Sequence, residues 1–154
     1  MTLQEAAALT GVVLGTFGSV LGVLNYLRDR SKVTVTLQWD MAVTNNPTYD
    51  PRKKWGLVRV ANVGRRPVYV SHASLRLPPG SKHHVLLLSD SVAGEKLGEG
   101  DPPRAYVVDQ SDLGKYTQEW KKVYAEISDS TGRSWRSKHQ KWQPRPSWVT
   151  EDET

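Results

Sequence analysis

The most constraining feature of this sequence is an uncharged run of 22 residues, Ala6 to Leu27. Glu5 bounds it on one side and Arg28 on the other. An α-helix rises about 1.5 Å per residue, so roughly 20 such residues cross the hydrocarbon core of a bilayer. The run therefore predicts a transmembrane helix, with residues 1–30 forming the helix and its short flanks.

Two other interpretations of the run are weaker. A cleaved signal peptide carries a basic N-terminal region and a cleavage site of small residues. Here the first five residues include no Lys or Arg, and the run ends at Asn25-Tyr26-Leu27. A buried helix of a soluble domain remains an alternative, although the run is long for a core helix and its four glycines would each cost about 1 kcal/mol in water.

Small residues recur on one face of the predicted helix. At 100° per residue they fall within a stripe about 100° wide. Small residues let helix backbones approach closely in lipid, and an amide at the end of the stripe can bond across the interface. The pattern predicts a homo-oligomer formed through Ala8, Gly11, Gly15, Gly18, Gly22 and Asn25.

The charges that flank the run predict its orientation. Arg28, Arg30 and Lys32 follow it, whereas no basic side chain precedes it. Because Lys and Arg mark the cytoplasmic side, the N-terminus is expected outside and residues 28–154 in the cytoplasm, with the three basic residues against anionic lipid. The absence of cysteine agrees with a reducing compartment, and it excludes disulfides, Cys-based zinc sites and a cysteine nucleophile.

After Lys32 the hydrophobic period changes from 3.6 to 2, which indicates strands. The phase slips near Ala73, which predicts a bulge, and residues 91–103 form a long connection with little regular structure. Short strands with turns between them are typical of a β-sandwich. Seven are predicted, over residues 33–39, 55–63, 67–77, 84–89, 104–109, 120–128 and 133–138.

Three stretches of the chain carry a resemblance. They are VRVANVGRRPVYV at 58–70, LGEGD at 97–101 and VYAEISDSTGRSWRS at 123–137. They resemble bacterial and phage membrane-anchored proteins with one N-terminal span and an immunoglobulin-like or fibronectin-like sandwich. The resemblance covers most of residues 33–138, and it implies a bacterial inner membrane but no catalytic or binding residues.

The expected fold is therefore mainly β. It comprises an N-terminal transmembrane helix, a seven-stranded antiparallel immunoglobulin-like sandwich over residues 31–139, and a C-terminal tail containing Pro and Trp over residues 140–154. The Cys-Trp-Cys pattern of antibody domains is absent, so any kinship is architectural.

No pattern in the sequence indicates an enzyme, a metal site or a cofactor. None of the common catalytic motifs occurs, and the four histidines lack the spacing of metal ligands on a helix. Loop carboxylates such as Asp109 and Asp112 could serve a hydrolase or nuclease, but Asp, Ser and Gly more often build turns.

The remaining signal is charge. Glu5 is the one charged side chain in residues 1–27, so the net charge of +5 for the chain corresponds to +6 for residues 28–154. Basic residues and tryptophans alternate near the C-terminus, as suits an anionic lipid surface or a protein partner; nucleic acid is a less favoured partner. The candidate residues are Arg136, Lys138, Lys141, Trp142 and Trp148.

These features predict a membrane-anchored, self-associating interaction or scaffold module with a basic cytoplasmic domain. The alternative is an effector whose clustered helices perturb the membrane, of the kind found in phage and defence systems.

Overall fold

The computed structural model describes residues 2–44, 46–138 and 144–149. Its first element is helix α1, Leu3–Arg28. Thr2 and Glu5 begin the helix with a capping box, in which the Thr2 amide donates to Glu5 Oε2 at 2.9 Å and the Glu5 amide donates to Thr2 Oγ1 at 3.3 Å. Within α1, the 24 residues Gln4–Leu27 are long and apolar enough to cross a membrane, as the sequence predicted.

Eight strands follow α1 in the described residues, and every pairing between them is antiparallel. The first, second and sixth form one sheet, in the order β1-β2-β6. The other five form the second sheet, in which β3 pairs with β4, β5 and β7, and β7 pairs with β8. Their bounds are β1 Val33–Met41, β2 Trp55–Asn62, β3 Val68–Arg76, β4 Val85–Leu87, β5 Glu95–Leu97, β6 Arg104–Asp109, β7 Tyr124–Asp129 and β8 Ser134–Arg136.

The two sheets share one hydrophobic core. The first contributes alternate side chains such as Val58 and Val60 of β2, and the second contributes Leu75 of β3 and Ile127 of β7, each fully buried. This alternation is the period of 2 that the sequence shows after Lys32. None of the residues that form this core belongs to α1. We refer to residues 31–138 as the β domain.

The predicted bulge in the third strand is confirmed. The register of β3 against β7 shifts between Val70 and His72, so Val70 and Ala73 both face the core despite their odd spacing. An extra residue in one strand reverses the side to which later residues point. The bulge therefore lets Val68, Val70, Ala73 and Leu75 all contribute to one buried face.

The strand prediction differs from the structure in two places. Strand β5 lies inside the segment that was expected to have little regular structure, and Leu97 pairs with Val68. Residues 120–122, expected to begin a strand, belong to a kinked 3-10 segment, Gly114–Lys122, so β7 begins only at Tyr124. In both places the segment is too short or too polar for its hydrophobic period to identify it.

Candidate functional site

Helix α1 presents its whole apolar surface to the surroundings. No residue of Gln4–Leu27 is buried by the part of the chain that the structure describes, and Val12, Leu14 and Phe17 are each about two-thirds exposed. A Cβ added at any of the four glycines of the stripe would meet nothing within 4 Å. The small face is therefore open to a second helix.

Three hydroxyl side chains within α1 bond to the helix itself. Thr10 Oγ1 donates to the Ala6 carbonyl at 2.9 Å, and Thr16 and Ser19 donate in the same way to the carbonyls four residues before them. A hydroxyl whose proton is used inside the helix costs little in lipid. These polar residues are therefore compatible with a membrane-spanning helix.

The connection between α1 and β1 is four residues long, Asp29–Lys32, and the β domain holds it. The Lys32 carbonyl accepts hydrogen bonds from the amides of Val63 at 2.8 Å and Gly64 at 3.1 Å. Both amides belong to the turn between β2 and β3. The end of the helix is therefore joined to the β domain by backbone hydrogen bonds as well as by the chain.

Asn62, the last residue of β2, organises this turn. Its Nδ2 donates to the carbonyls of Arg66 at 2.8 Å and Leu97 at 3.0 Å, and its Oδ1 accepts from the Gly64 amide at 3.0 Å. The side chain is 8% exposed, so these bonds form away from water. Residues 62–67 lie within the stretch VRVANVGRRPVYV, and the Asn62 side chain joins this turn to β5.

Gly64 lies against the connection so closely that a side chain cannot be added without movement. A Cβ at this position would stand 2.5 Å from both the Arg30 carbonyl oxygen and the Lys32 nitrogen. Both are backbone atoms, which cannot rotate away as a side chain could.

We therefore expect Gly64→Ala to separate the turn from the connection and to lower the free energy of unfolding by about 1–3 kcal/mol, the usual cost of overpacking. Thermal unfolding of the full chain in detergent measures the loss. Gly80→Ala is a control for steric contact, since nothing lies within 4 Å of its added Cβ. Any loss of stability in this control comes from the backbone strain of a φ of +87°. Equal melting temperatures for wild type and Gly64→Ala would contradict the close approach.

Two arginines bring further contacts to the connection from separate turns. Arg66 Nη2 lies 3.2 Å from Asp29 Oδ2, and Arg133 Nη1 donates to Ser31 Oγ at 3.2 Å. Arg30 lies over the Tyr26 ring, with its Cζ 5.2 Å from the ring centroid. These groups enclose a cleft of about 340 Å³, which we call the juxtamembrane cleft, lined by Tyr26, Asp29, Arg30, Ser31, Arg66 and Arg133.

No protein-family model matches the chain, and the search of curated proteins found no similar protein.

A second cluster of charge lies on the outer face of the sheet that contains β7. Glu126 has a side chain only 5% exposed, and it receives hydrogen bonds from Arg76 on β3 and Arg136 on β8, the shortest at 2.6 Å. Burial by itself raises the pKa of Glu126, but the hydrogen bonds and charges of the two arginines together lower it below its usual value.

The predicted partner-binding residues are only partly brought together. Arg136 and Lys138 line one groove of about 210 Å³ with Trp39. Trp148 contacts the same Trp39 edge-to-face, with ring centroids 5.5 Å apart, and packs half-buried against the core, so it covers the end of the β domain. Lys141 and Trp142 lie outside the described residues.

The loop carboxylates Asp109 and Asp101 accept hydrogen bonds within their own turns. Asp109 accepts hydrogen bonds from the hydroxyl and the amide of Ser111, and these, with Lys53 at 3.5 Å, lower its pKa. Asp101 accepts from the Gly98 amide at 2.6 Å. Across the described ranges, no group of three or more His, Asp or Glu side chains is placed to hold a metal ion.

Sequence reasoning missed Arg66 and Arg133, which line the cleft with Arg30, one of the predicted flanking residues. A signal was present, because in antiparallel strands every second turn lies at the same end of the sheet. The turn after β2 must therefore return to the end where β1 begins, next to the helix.

Proposed function

We propose that this protein is a membrane-anchored, self-associating interaction module. The observation that carries the proposal is an apolar helix of 24 residues that the rest of the described chain leaves uncovered. An uncovered apolar surface of this size needs lipid or another protein against it. The β domain buries its own core separately, so the helix contributes nothing to that core and is available for membrane insertion.

Self-association is supported by the stripe of small residues. Small side chains at four-residue spacing let the backbones of two helices approach closely in lipid. Gly11 and Gly15 form one pair at this spacing, Gly18 and Gly22 form another, and all four are open. Asn25 continues the stripe and would donate a hydrogen bond across the interface.

The orientation we propose places the β domain in the cytoplasm of a bacterium, beneath the inner membrane. Arg28, Arg30 and Lys32 support it as the positive flank of the span. The β domain would then bind a protein or the membrane through its basic side chains, without catalysis and without a cofactor. Arg136 and Lys138, beside the groove at Trp39, are the described residues we propose for a protein partner.

We further propose that the β domain is an immunoglobulin-like sandwich of the fibronectin kind. The strand orders support this, since β1-β2-β6 faces a sheet containing β4-β3-β7-β8 and the chain passes repeatedly between the two. Such crossings are typical of sandwiches with Greek-key connections.

The substitution Gly15→Leu tests self-association. A leucine in the stripe separates the backbones, and we expect the apparent dissociation constant of the oligomer to rise on the order of tenfold or more. Val20→Leu adds bulk on the opposite face and serves as the matched control. Cross-linking and size analysis of the detergent-solubilised chain measure both, and an oligomer unchanged by Gly15→Leu would refute the stripe as the interface.

Vesicle leakage separates the proposed module from a membrane-perturbing effector. A module that only binds leaves a dye inside liposomes that carry the reconstituted protein. If the dye is released and Gly15→Leu abolishes the release, the protein is a membrane-perturbing effector and the proposed binding module is refuted.

A further inference from the structure

The juxtamembrane cleft lies where the headgroups of a bilayer would be. Helix α1 ends at its rim, and the 24 residues Gln4–Leu27 span about 36 Å at 1.5 Å per residue, slightly more than the hydrocarbon core of about 30 Å. Tyr26, the last aromatic residue of the span, lines the cleft. Tyrosine in this position is typical of the membrane–water interface.

The cleft gathers cationic groups from three separate segments. Arg30 belongs to the connection after α1, Arg66 to the turn between β2 and β3, and Arg133 to the turn between β7 and β8. Asp29 is the acidic group that lines it, so three positive charges face one negative charge. The hydrogen bonds described above use one Nη nitrogen of Arg66 and one of Arg133, and a guanidinium has five N–H donors.

The contacts that hold these arginines are of a kind that an anion can replace. The Arg66–Asp29 pair is exposed, with about half or more of each side chain open to solvent, and exposed pairs contribute little to stability. A guanidinium group can bind a phosphate through two parallel hydrogen bonds. Asp29 accepts one hydrogen bond from Arg66, so this contact does not use the second donor of the pair.

The turn that carries Arg66 also carries an exposed apolar residue. Val63, in the same turn as Arg66, is 62% exposed although its amide is fixed to the Lys32 carbonyl. A turn with both an exposed valine and arginines has the composition of a surface at the polar–apolar boundary of a bilayer.

We infer that the juxtamembrane cleft binds the phosphate of an anionic phospholipid headgroup through Arg30, Arg66 and Arg133. This inference rests on the proposed insertion of α1 in a membrane, and it gives that proposal a specific lipid partner. The phosphate oxygens accept hydrogen bonds from these guanidinium groups.

Native mass spectrometry of the full chain in mild detergent tests this. The protein is mixed with equal amounts of phosphatidylglycerol and phosphatidylcholine, and retained lipid is counted. We expect wild type to retain phosphatidylglycerol preferentially, and Arg66→Gln with Arg133→Gln to weaken that retention roughly 25-fold, since each arginine near an anionic lipid contributes roughly a factor of five.

A charge-matched variant keeps the result specific. Arg52→Gln with Arg59→Gln removes two exposed arginines that do not line the cleft, and we expect it to keep the preference. An equal loss in both double variants would overturn the site. Arg30→Gln is a second test that leaves the bonds to Asp29 and Ser31 in place, and it should weaken retention roughly fivefold.

Inorganic phosphate distinguishes a lipid from a free ion. Added in excess, it should leave phosphatidylglycerol bound, because the acyl chains hold the headgroup at the cleft. Complete displacement would show that the cleft takes free phosphate and would overturn the lipid assignment. The same spectra report oligomer number, so a monomer that retains phosphatidylglycerol would refute self-association while supporting the cleft.

Discussion

Asn62→Asp is expected to lower the free energy of unfolding by about 3–5 kcal/mol, the range for an uncompensated buried charge. The two side chains have the same shape, so packing is unchanged. The new oxygen, however, would face the carbonyls of Arg66 and Leu97, where the amide nitrogen now donates at 2.8 and 3.0 Å. A carboxylate cannot donate, and its charge would lie in a place that is 8% exposed.

The pH dependence of this variant adds a second measurement. At low pH the new carboxyl becomes protonated and donates one hydrogen bond again, so the gap between variant and wild type should shrink. Asn46→Asp is the matched control, because exposed Asn46 uses its Oδ1 to accept from the Thr48 amide at 3.0 Å and an aspartate does the same. Denaturant unfolding measures all three proteins, and a stable Asn62→Asp would show that Asn62 does not hold the turn.

Glu126→Gln is expected to cost about 2–4 kcal/mol at neutral pH. The carboxylate accepts charge-assisted hydrogen bonds from Arg76 and Arg136, and such bonds are roughly twice as strong as neutral ones. The neutral amide keeps one oxygen and turns its NH₂ toward an arginine. The partial exposure of both arginines keeps the loss below that of a fully buried ion pair.

The sign of the pH effect at Glu126 follows from its lowered pKa. The pKa of the Glu126 carboxyl in the folded protein lies below its usual value of 4.5. The stabilisation is therefore complete above pH 4.5 and is lost as the pH falls through the pKa of the folded state. The difference between wild type and Glu126→Gln should therefore be largest near neutral pH and decline below about 4.5. Glu99→Gln, at an exposed carboxylate 3.9 Å from Arg65, is the control. A difference independent of pH would contradict the pairing.

The sequence predicted much of the fold because most elements have a clear period. Helix α1 was evident from its uncharged run, and β1, β2, β3 and β6 from their alternation. Strand β5 could not be found in this way, because it is three residues long and its Glu95 and Lys96 give no apolar period. Its place is fixed by pairing with β3 and by the Asn62 side chain, which are contacts distant in sequence.

The candidate site was predictable only in the parts that are local. The helix stripe and the basic flank are continuous in sequence and could be identified there. The juxtamembrane cleft joins segments more than 100 residues apart, such as Ser31 and Arg133, and only the folded β domain brings them together. For Trp148, its position in a tail left a cap on the sandwich, a membrane contact and a partner contact all open, and the structure packs it on Trp39.

The connection between α1 and β1 sets the azimuth of the β domain about the helix axis. The Lys32 carbonyl accepts two backbone hydrogen bonds from the turn after β2, and arginines from two turns contact Asp29 and Ser31. These contacts restrict rotation of the β domain about this described segment. One residue added to the helix before it would turn the domain by about 100° and displace it by about 1.5 Å. In an oligomer formed through α1, the angle at which two helices meet would then determine which surfaces of the β domains face each other.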